Sequence, residues 1–502
     1  MAVTQAPVDA APTRPRRRFA ARLVAPFLFG VFVPLVLRYA FSSHLVPMGG
    51  CGGPLPACPN VGTVTTERVL AGAGVAAVLS VWTAFLRPRW FALLSVVALV
   101  AGVVTSGVVA DRFVGAFLQV HWAAPPLTVD PHHAEGAWRD GRVVAEIQDN
   151  RVTGRDTESG RIRWTHALPA NQSVCQLSDT VAAHTGLIAT GSARGCGTLV
   201  AVDLATGRTR WSVAAPFDAT LTSNGTTIVP GPQGNAQAVL AMFGGVAVVV
   251  SGHQVLGYDL TTGAPRWQAA PPAGCQTGGV TAALGRFVAV DNCGASGYRL
   301  TALDPASGTP AWSRLLPDHS PQVQVSVVST NPFVVAENGS ANDTVARYDA
   351  AGDMLSTFQV GEVTTPNGPR ALQLGALHAT PVDVANAHVF VGMTVTEVNG
   401  EDNTRFLVGF DPTDGTVLWT TGLPDAPAGL ALDGRRLLVV DEDSPEPTLT
   451  QVSLTDGTQH TIGVLPHRVL GQSIELLPGK GNVALVNTNA AAGTVSAALA
   501  SV

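Results

Sequence analysis

The chain is short of charge, and almost without lysine. Only 13% of its 502 residues are Asp, Glu, Lys or Arg, against 46% hydrophobic. Globular domains average about 25% charged residues, and such an apolar composition excludes intrinsic disorder over most of the length. Lys480 is the single lysine; the other 29 of 30 basic residues are arginine, which reads as coding bias rather than chemistry. No basic surplus exists: the net charge of −6 and a pI near 6.0 exclude a nucleic-acid binder. There is no C-x-x-C pair and hence no foothold for zinc or thioredoxin-type redox chemistry. A haem-attachment C-x-x-C-H, a G-x-S-x-G elbow and a phosphate loop are also absent. Beyond the first 122 residues no 3.6-residue periodicity appears, so helical solenoids are excluded.

What is present divides the chain in two. Residues 1–18 are polar and end in a basic cluster, Arg14, Arg16, Arg17 and Arg18. Three apolar runs follow, and together with a mean hydropathy of +0.25 they predict a membrane domain over 19–122. Its α-helical spans are expected near 19–41, 69–86 and 90–110, with membrane lipid as their partner. The first apolar core, Leu23–Leu37, is short of the ~20 residues that cross a bilayer, but Arg22 and Arg38 can snorkel at its ends. The competing reading of this run is a cleaved signal peptide. Arg87 and Arg89 between the second and third runs join the N-terminal arginines on the cytoplasmic side by the positive-inside rule. The loop 42–67 and everything after Asp111 are then extracytoplasmic. All six cysteines fall in those outside segments: Cys51, Cys58, Cys175, Cys196, Cys275 and Cys293. An even count in an oxidising compartment reads as three disulfides, the alternative being six buried thiols.

The remaining 380 or so residues repeat. One spacing, Asp-x3-Gly-x3-Trp, recurs five times: Asp156/Gly160/Trp164, Asp203/Gly207/Trp211, Asp259/Gly263/Trp267, Asp304/Gly308/Trp312 and Asp411/Gly415/Trp419. Two degenerate copies complete the series, Asp349-x2-Gly352 with Phe358 nearby, and Ser453-x3-Gly457. The local physics is a hairpin. The Asp side chain caps backbone N–H groups two residues on, the Gly takes positive φ, and the next strand carries the Trp. Other short apolar strands lie upstream, for example Val246–Val250, Phe287–Val290, Val389–Val391 and Leu437–Val440. Four strands per unit of about 50 residues is the arithmetic of a propeller blade. The tryptophans then read as packing between blades rather than as a substrate platform.

Segments such as Val202-Asp-Leu-Ala-Thr-Gly207-Arg-Thr-Arg-Trp211 resemble the tryptophan-docking repeat of the pyrroloquinoline-quinone (PQQ)-like propellers. That superfamily contains quinoprotein dehydrogenases and the non-enzymatic propeller of the outer-membrane assembly machinery. The resemblance covers about residues 130–502 and implies an all-β, eight-bladed propeller over 123–502, with seven blades as the alternative, preceded by three transmembrane α-helices. The eighth blade is expected from Ser473–Leu477, Asn482–Asn487 and Thr494–Ala500, closed by a strand near Ala123–Val129. Cys175/Cys196 and Cys275/Cys293 occupy corresponding places in the second and fourth repeats, so one bridge is expected inside each, and Cys51–Cys58 would pin the first outside loop.

Catalytic, cofactor and metal residues are not identifiable. The catalytic members of the superfamily hold PQQ and calcium, and the alcohol dehydrogenases among them a disulfide between adjacent cysteines; this chain has no adjacent cysteine pair and no calcium-loop spacing. Glu401-Asp-Asn403 and Asp441-Glu-Asp443 are expected in solvated loops, and His132-His133 in a solvated linker. The reading is a membrane-anchored, extracytoplasmic, non-catalytic binding module of the cell envelope, with a protein or polysaccharide partner. A PQQ-dependent dehydrogenase is the alternative. The long gap between Asp349 and Asp411 makes the loops around Gly361–Arg370 and Val398–Thr404 the candidate contact surface.

Overall fold

The computed structural model describes the chain from 118 to 502 apart from 119, 126–131, 149, 193–194, 216–220, 224–225, 229–238, 318–322, 339–342, 361, 366–367, 372–383, 386–388, 399–401, 424–426, 442–447, 466–473 and 491–494. Before 118 it describes only positions 24, 27, 28, 30, 31, 74, 97, 100, 101 and 102, all helical. The expected spans, the loop 42–67 and the pair Cys51–Cys58 therefore lie almost wholly outside the described residues. Among the described residues no helix is long and apolar enough to cross a membrane.

The strands form seven four-stranded antiparallel sheets and one of five strands, joined in chain order. The first blade is His132–Asp140, Val143–Gln148, Arg151–Asp156 and Ile162–Ala167, with Asn489–Ala490 added at its inner edge. The second runs from Ser173–Leu177 to Thr209–Ala214, the third from Leu240–Phe243 to Pro265–Ala269, and the fourth from Gln276–Ala283 to Pro310–Leu315. The fifth spans Gln324–Thr330 to Met354–Val360, the sixth Val384–Ala385 to Val417–Leu423, and the seventh Pro427–Asp433 to Gln459–Val464. In the eighth, Ile474–Gly479, Asn482–Asn487 and Ala497–Ser501 receive their outer strand from Val120–Ala123, through Val120↔Ala500 and Ala123↔Ala498. The closing strand expected near Ala123–Val129 is thus a few residues earlier, inside the stretch Leu118–Val502 of the compact β unit. A strand from one chain end completing the last blade removes the open edges that an unclosed sheet array would leave.

Eight apolar clusters bind each sheet to the next around the whole ring. Trp138, Ile147 and Leu204 join the first blade to the second; Leu187, Trp211 and Leu260 join the second to the third. The series continues through Phe287, Trp312, Phe358, Trp419 and Leu485. Trp122, Val144 and Leu499 join the eighth blade back to the first. Second strands such as Val246–Ser251, buried at all six positions, face neighbouring sheets on both sides, which is why they read as unbroken apolar runs.

Antiparallel order sorts the connections by face. Links from first to second strand and from third to fourth emerge on one side of the ring, here the turn face. Links from second to third and from blade to blade emerge on the other, the loop face. Most turn-face links are tight, as at 141–142, 244–245, 284–285 and 480–481. The loop face carries two extra hairpins, Leu221–Ser223/Thr226–Ile228 and Glu362–Thr365/Gly368–Ala371, and the nine-residue strands Phe390–Val398 and Asp402–Phe410.

Candidate binding face and inner-strand carboxyls

The repeat residues build the joints between blades. Each Asp folds its own turn. Asp203 Oδ1 accepts from the N–H and hydroxyl of Thr206, both at 2.9 Å. Asp259 Oδ1 accepts from Thr261 and Thr262, and Asp304 Oδ1 from Ala306 and Ser307. The donors around Asp259, with the guanidinium of Arg266, hold its carboxyl down at about 2.

The following glycine does two jobs. Gly207 has φ +71°, and a Cβ there would lie 2.5 Å from the Trp164 ring. Gly263 has φ +71°, with a Cβ 2.7 Å from the Trp211 ring, and Gly308 has φ +69°, with a Cβ 2.4 Å from the Trp267 ring. The sequence groups Gly263 with Trp267 and Gly308 with Trp312 and gives both glycines a turn role alone. The structure corrects that grouping: each glycine is the floor for the Trp of the repeat before it, because the turn of one blade abuts the outer strand of its predecessor.

The preceding blade's Trp stacks on that bare backbone and its indole N–H donates to the residue after the Asp. Trp164 donates to the Leu204 carbonyl at 2.9 Å, Trp211 to Leu260 at 2.8 Å, Trp267 to Pro305 at 2.9 Å, Trp312 to Ala350 at 3.1 Å and Trp419 to Leu454 at 2.9 Å. Gly352 and Gly457, the two degenerate copies, receive Trp312 and Trp419 in the same way.

Two joints depart from the pattern instructively. Trp122 serves the closing joint, donating to Thr157 at 2.9 Å and lying over Gly160. Its partner strand is at the far end of the chain, so no local Asp-x3-Gly marks it. Phe358 covers Gly415 but has no N–H. The Ser356 hydroxyl, two residues earlier, donates instead to Pro412, the carbonyl that a Trp would reach, at 2.5 Å.

The loop face is stiffened from beneath. Cys175–Cys196 and Cys275–Cys293 each tie the start of a first strand to the third strand or the turn before it, across the end of the second. Closing loops of 21 and 18 residues contributes roughly 3 kcal/mol each in the chain-entropy picture. Beside the second bridge, buried Asp291 accepts the hydroxyls of Thr277 and Thr301, both at 2.6 Å, and burial still raises its carboxyl. Glu146, also fully buried, accepts from Ser496 at 2.9 Å across the first and eighth blades. The described parts of both candidate contact segments belong to this face: 361–370 overlaps the hairpin Glu362–Thr365/Gly368–Ala371, and Val398 and 402–404 lie at the loop-face ends of the sixth blade's paired strands, with 399–401 outside the described residues. Asp402 and Asn403 are not loop residues, as expected from sequence, but open a strand, paired with Val398 and Glu397. Asp441 likewise ends the strand Arg436–Asp441, with 442–447 outside the described residues. His132 and His133 are not a linker either. They begin the first blade's inner strand and pair with Ala490 and Asn489, because the tail of the eighth blade supplies an extra ladder there.

Near the ring's inner strands two buried carboxyls are both raised. Glu475, on the eighth blade's first strand, is pushed up to about 8, by loss of water and by the charge of Asp179; the Ala137 N–H, donating to it, opposes the shift. Asp179, after the second blade's first strand, is raised to about 6 by loss of water alone. A Cβ at Gly136 would sit 3.2 Å from Glu475 Oε2 and 3.1 Å from Leu177. Such a pair stores a proton at neutral pH. Sequence reading gave no sign of it, since the two residues are 296 apart and share no motif.

Among the described residues no group of three His, Cys, Asp or Glu side chains is placed to hold a metal, and both described disulfides join cysteines far apart in sequence.

Fold and joints together define a β-propeller of the PQQ-like, tryptophan-docked kind. The family model described as outer membrane protein assembly factor BamB matches residues 132–232 and 195–460, and the chain belongs to that family. No curated protein matches the sequence. Among solved structures, BamB from Moraxella catarrhalis is similar at 15% identity, covering 76% of this chain and 99% of that one, with a TM-score of 0.46. Quinohemoprotein alcohol dehydrogenase from Comamonas testosteroni is similar at 13% identity, covering 76% of each chain, with a TM-score of 0.46. Sqt1 from Saccharomyces cerevisiae is similar at 11% identity, covering 76% of this chain and 97% of that one, also with a TM-score of 0.46.

Proposed function

We propose that this chain is a non-catalytic binding scaffold of the cell envelope, held at the cytoplasmic membrane by its apolar N-terminal segments, with the propeller outside. The observation that carries the reading is the inequality of the two faces. One is closed by tight Asp-capped turns. Among the described residues the other bears the extra hairpins and the two bridges Cys175–Cys196 and Cys275–Cys293, the design of a rigid base presenting recognition loops. Membership of the BamB family supports a protein partner in envelope assembly, recognised through the 361–370 and 398–404 segments. The six cysteines and the arginine-flanked apolar runs support an extracytoplasmic propeller. A PQQ-dependent dehydrogenase is the competing reading. Calorimetric titration of the full-length chain with PQQ and calcium separates the two. The scaffold reading expects no saturable heat. One-to-one binding tighter than about 1 μM, or ~8 kcal/mol, would overturn it.

A further inference from the structure

The rim of the turn face is built in two styles. In the first three blades the residue before the docking Trp is arginine, and it closes on the turn's own Asp. Arg163 lies 3.6 Å from Asp156, Arg210 2.7 Å from Asp203 and Arg266 2.5 Å from Asp259. In the fifth and sixth blades the equivalent residues are Leu355 and Leu418. Together with Met354 and Val417 beside them they are 53%, 45%, 48% and 43% exposed. A strand residue that bears an exposed leucine where its repeats bear a clasped arginine has given up a soluble arrangement that the fold plainly accommodates.

These four side chains stand at the turn-face ends of two neighbouring outer strands, Met354–Val360 and Val417–Leu423. Ser356 bonds to Pro412, and Phe358 lies on Gly415, so the turn Asp411–Gly415 is wedged between the fifth blade's outer strand and the start of the sixth's. That strip also carries the carboxylates Asp349, Asp411 and Asp414. Among the described residues none of the three has a cationic partner, whereas Asp353 is taken by Arg314 of the fourth blade at 3.1 Å. We infer that the turn-face rim of the fifth and sixth blades docks a cationic, apolar-faced segment of a partner protein. Apolar contact area surrounded by uncompensated negative charge is complementary to such a segment, and the same carboxylates would be repelled by anionic lipid. The surface lies on the opposite face from the recognition loops, so it does not depend on the scaffold reading of those loops.

The test uses the full-length chain in zwitterionic phosphatidylcholine nanodiscs and a fluorescent helical peptide with leucine along one face and lysine along the other. The matched peptide carries glutamate for lysine. The lysine peptide should bind loaded discs saturably above the empty-disc background, and weaken with salt. Leu355→Arg with Leu418→Arg restores the pattern of the first three blades, so the fold is kept while affinity should fall at least tenfold. If that pair disturbs folding, Leu355→Gln with Leu418→Gln should give the same loss. Unchanged binding by both double variants would overturn the inference. So would equal binding of the two peptides, or a signal no greater than that on empty discs.

Discussion

The first three blades and the fifth and sixth are made from one repeat, yet their outer edges differ where the arginines stand. Where Arg163, Arg210 and Arg266 clasp their turn aspartates, Leu355 and Leu418 stand in solvent. The inner joints of the two regions hardly differ: an aromatic ring on a glycine, and a donor to the carbonyl after the Asp. The lesson is that the joint and the rim are under separate constraints. The joint must be filled and hydrogen-bonded in every blade, whereas the rim is free to vary with what it meets.

Substitutions at the joint should therefore hit both regions equally and hardest. Gly207→Val and Gly352→Val each place a side chain into a Trp ring at a backbone φ above +70°. Each should cost about 3 kcal/mol or more in denaturant unfolding; a loss in one region alone would break the equivalence. Trp211→Ala and Phe358→Ala should each cost roughly 3–5 kcal/mol. Ser356→Ala should cost about 1–2 kcal/mol, the amount expected when a buried carbonyl loses its donor, while Ser356→Ala with Phe358→Trp should recover most of it by supplying an indole N–H. At the ring's centre, away from either rim, Glu475 gives a control with its own pH signature. Its folded carboxyl, raised to about 8 from an ordinary 4.5, keeps a proton that the unfolded chain releases. Stability should fall as pH rises from about 4.5 to 8, and Glu475→Gln should flatten thermal midpoints across that window. The smallest effect belongs to the rim: Arg210→Leu should cost under about 1 kcal/mol, as ion pairs open to water at the surface do. A larger loss would mean that the clasp is structural and that Leu355 and Leu418 represent damage rather than use.

How legible this was depends on range in sequence. The Asp-x3-Gly-x3-Trp spacing is contained within nine residues, so the turns, the positive φ at Gly and the docking Trp could all be read. So could the two described disulfides, from cysteines in matching places of two repeats. The reason for Gly was only half readable. The ring that excludes a Cβ at Gly207 comes from Trp164, forty-three residues earlier, and Gly263 and Gly308 answer likewise to Trp211 and Trp267 of the repeats before them. Trp122 escaped because its blade is assembled from both ends of the chain. The Glu475–Asp179 pair escaped because only the closing of the ring brings the eighth blade beside the first two. The Arg-Trp dipeptides of the first three blades were visible and carried the rim pattern, but their meaning required knowing where the arginine goes. The strand role of His132–His133 depends likewise on a ladder with Asn489–Ala490 that no local pattern announces.

Closure of the ring by the segment Val120–Ala123 is the claim on which the rest stands, since it makes the stretch just after the apolar N-terminal region part of the propeller. Thermal unfolding of the full-length chain with Trp122→Ala, set beside Trp211→Ala, tests it most directly. The account predicts equal lowering of one cooperative transition, because both rings fill a joint and donate to the carbonyl of the next blade. A Trp122→Ala protein that melts like the parent, while Trp211→Ala does not, would contradict it.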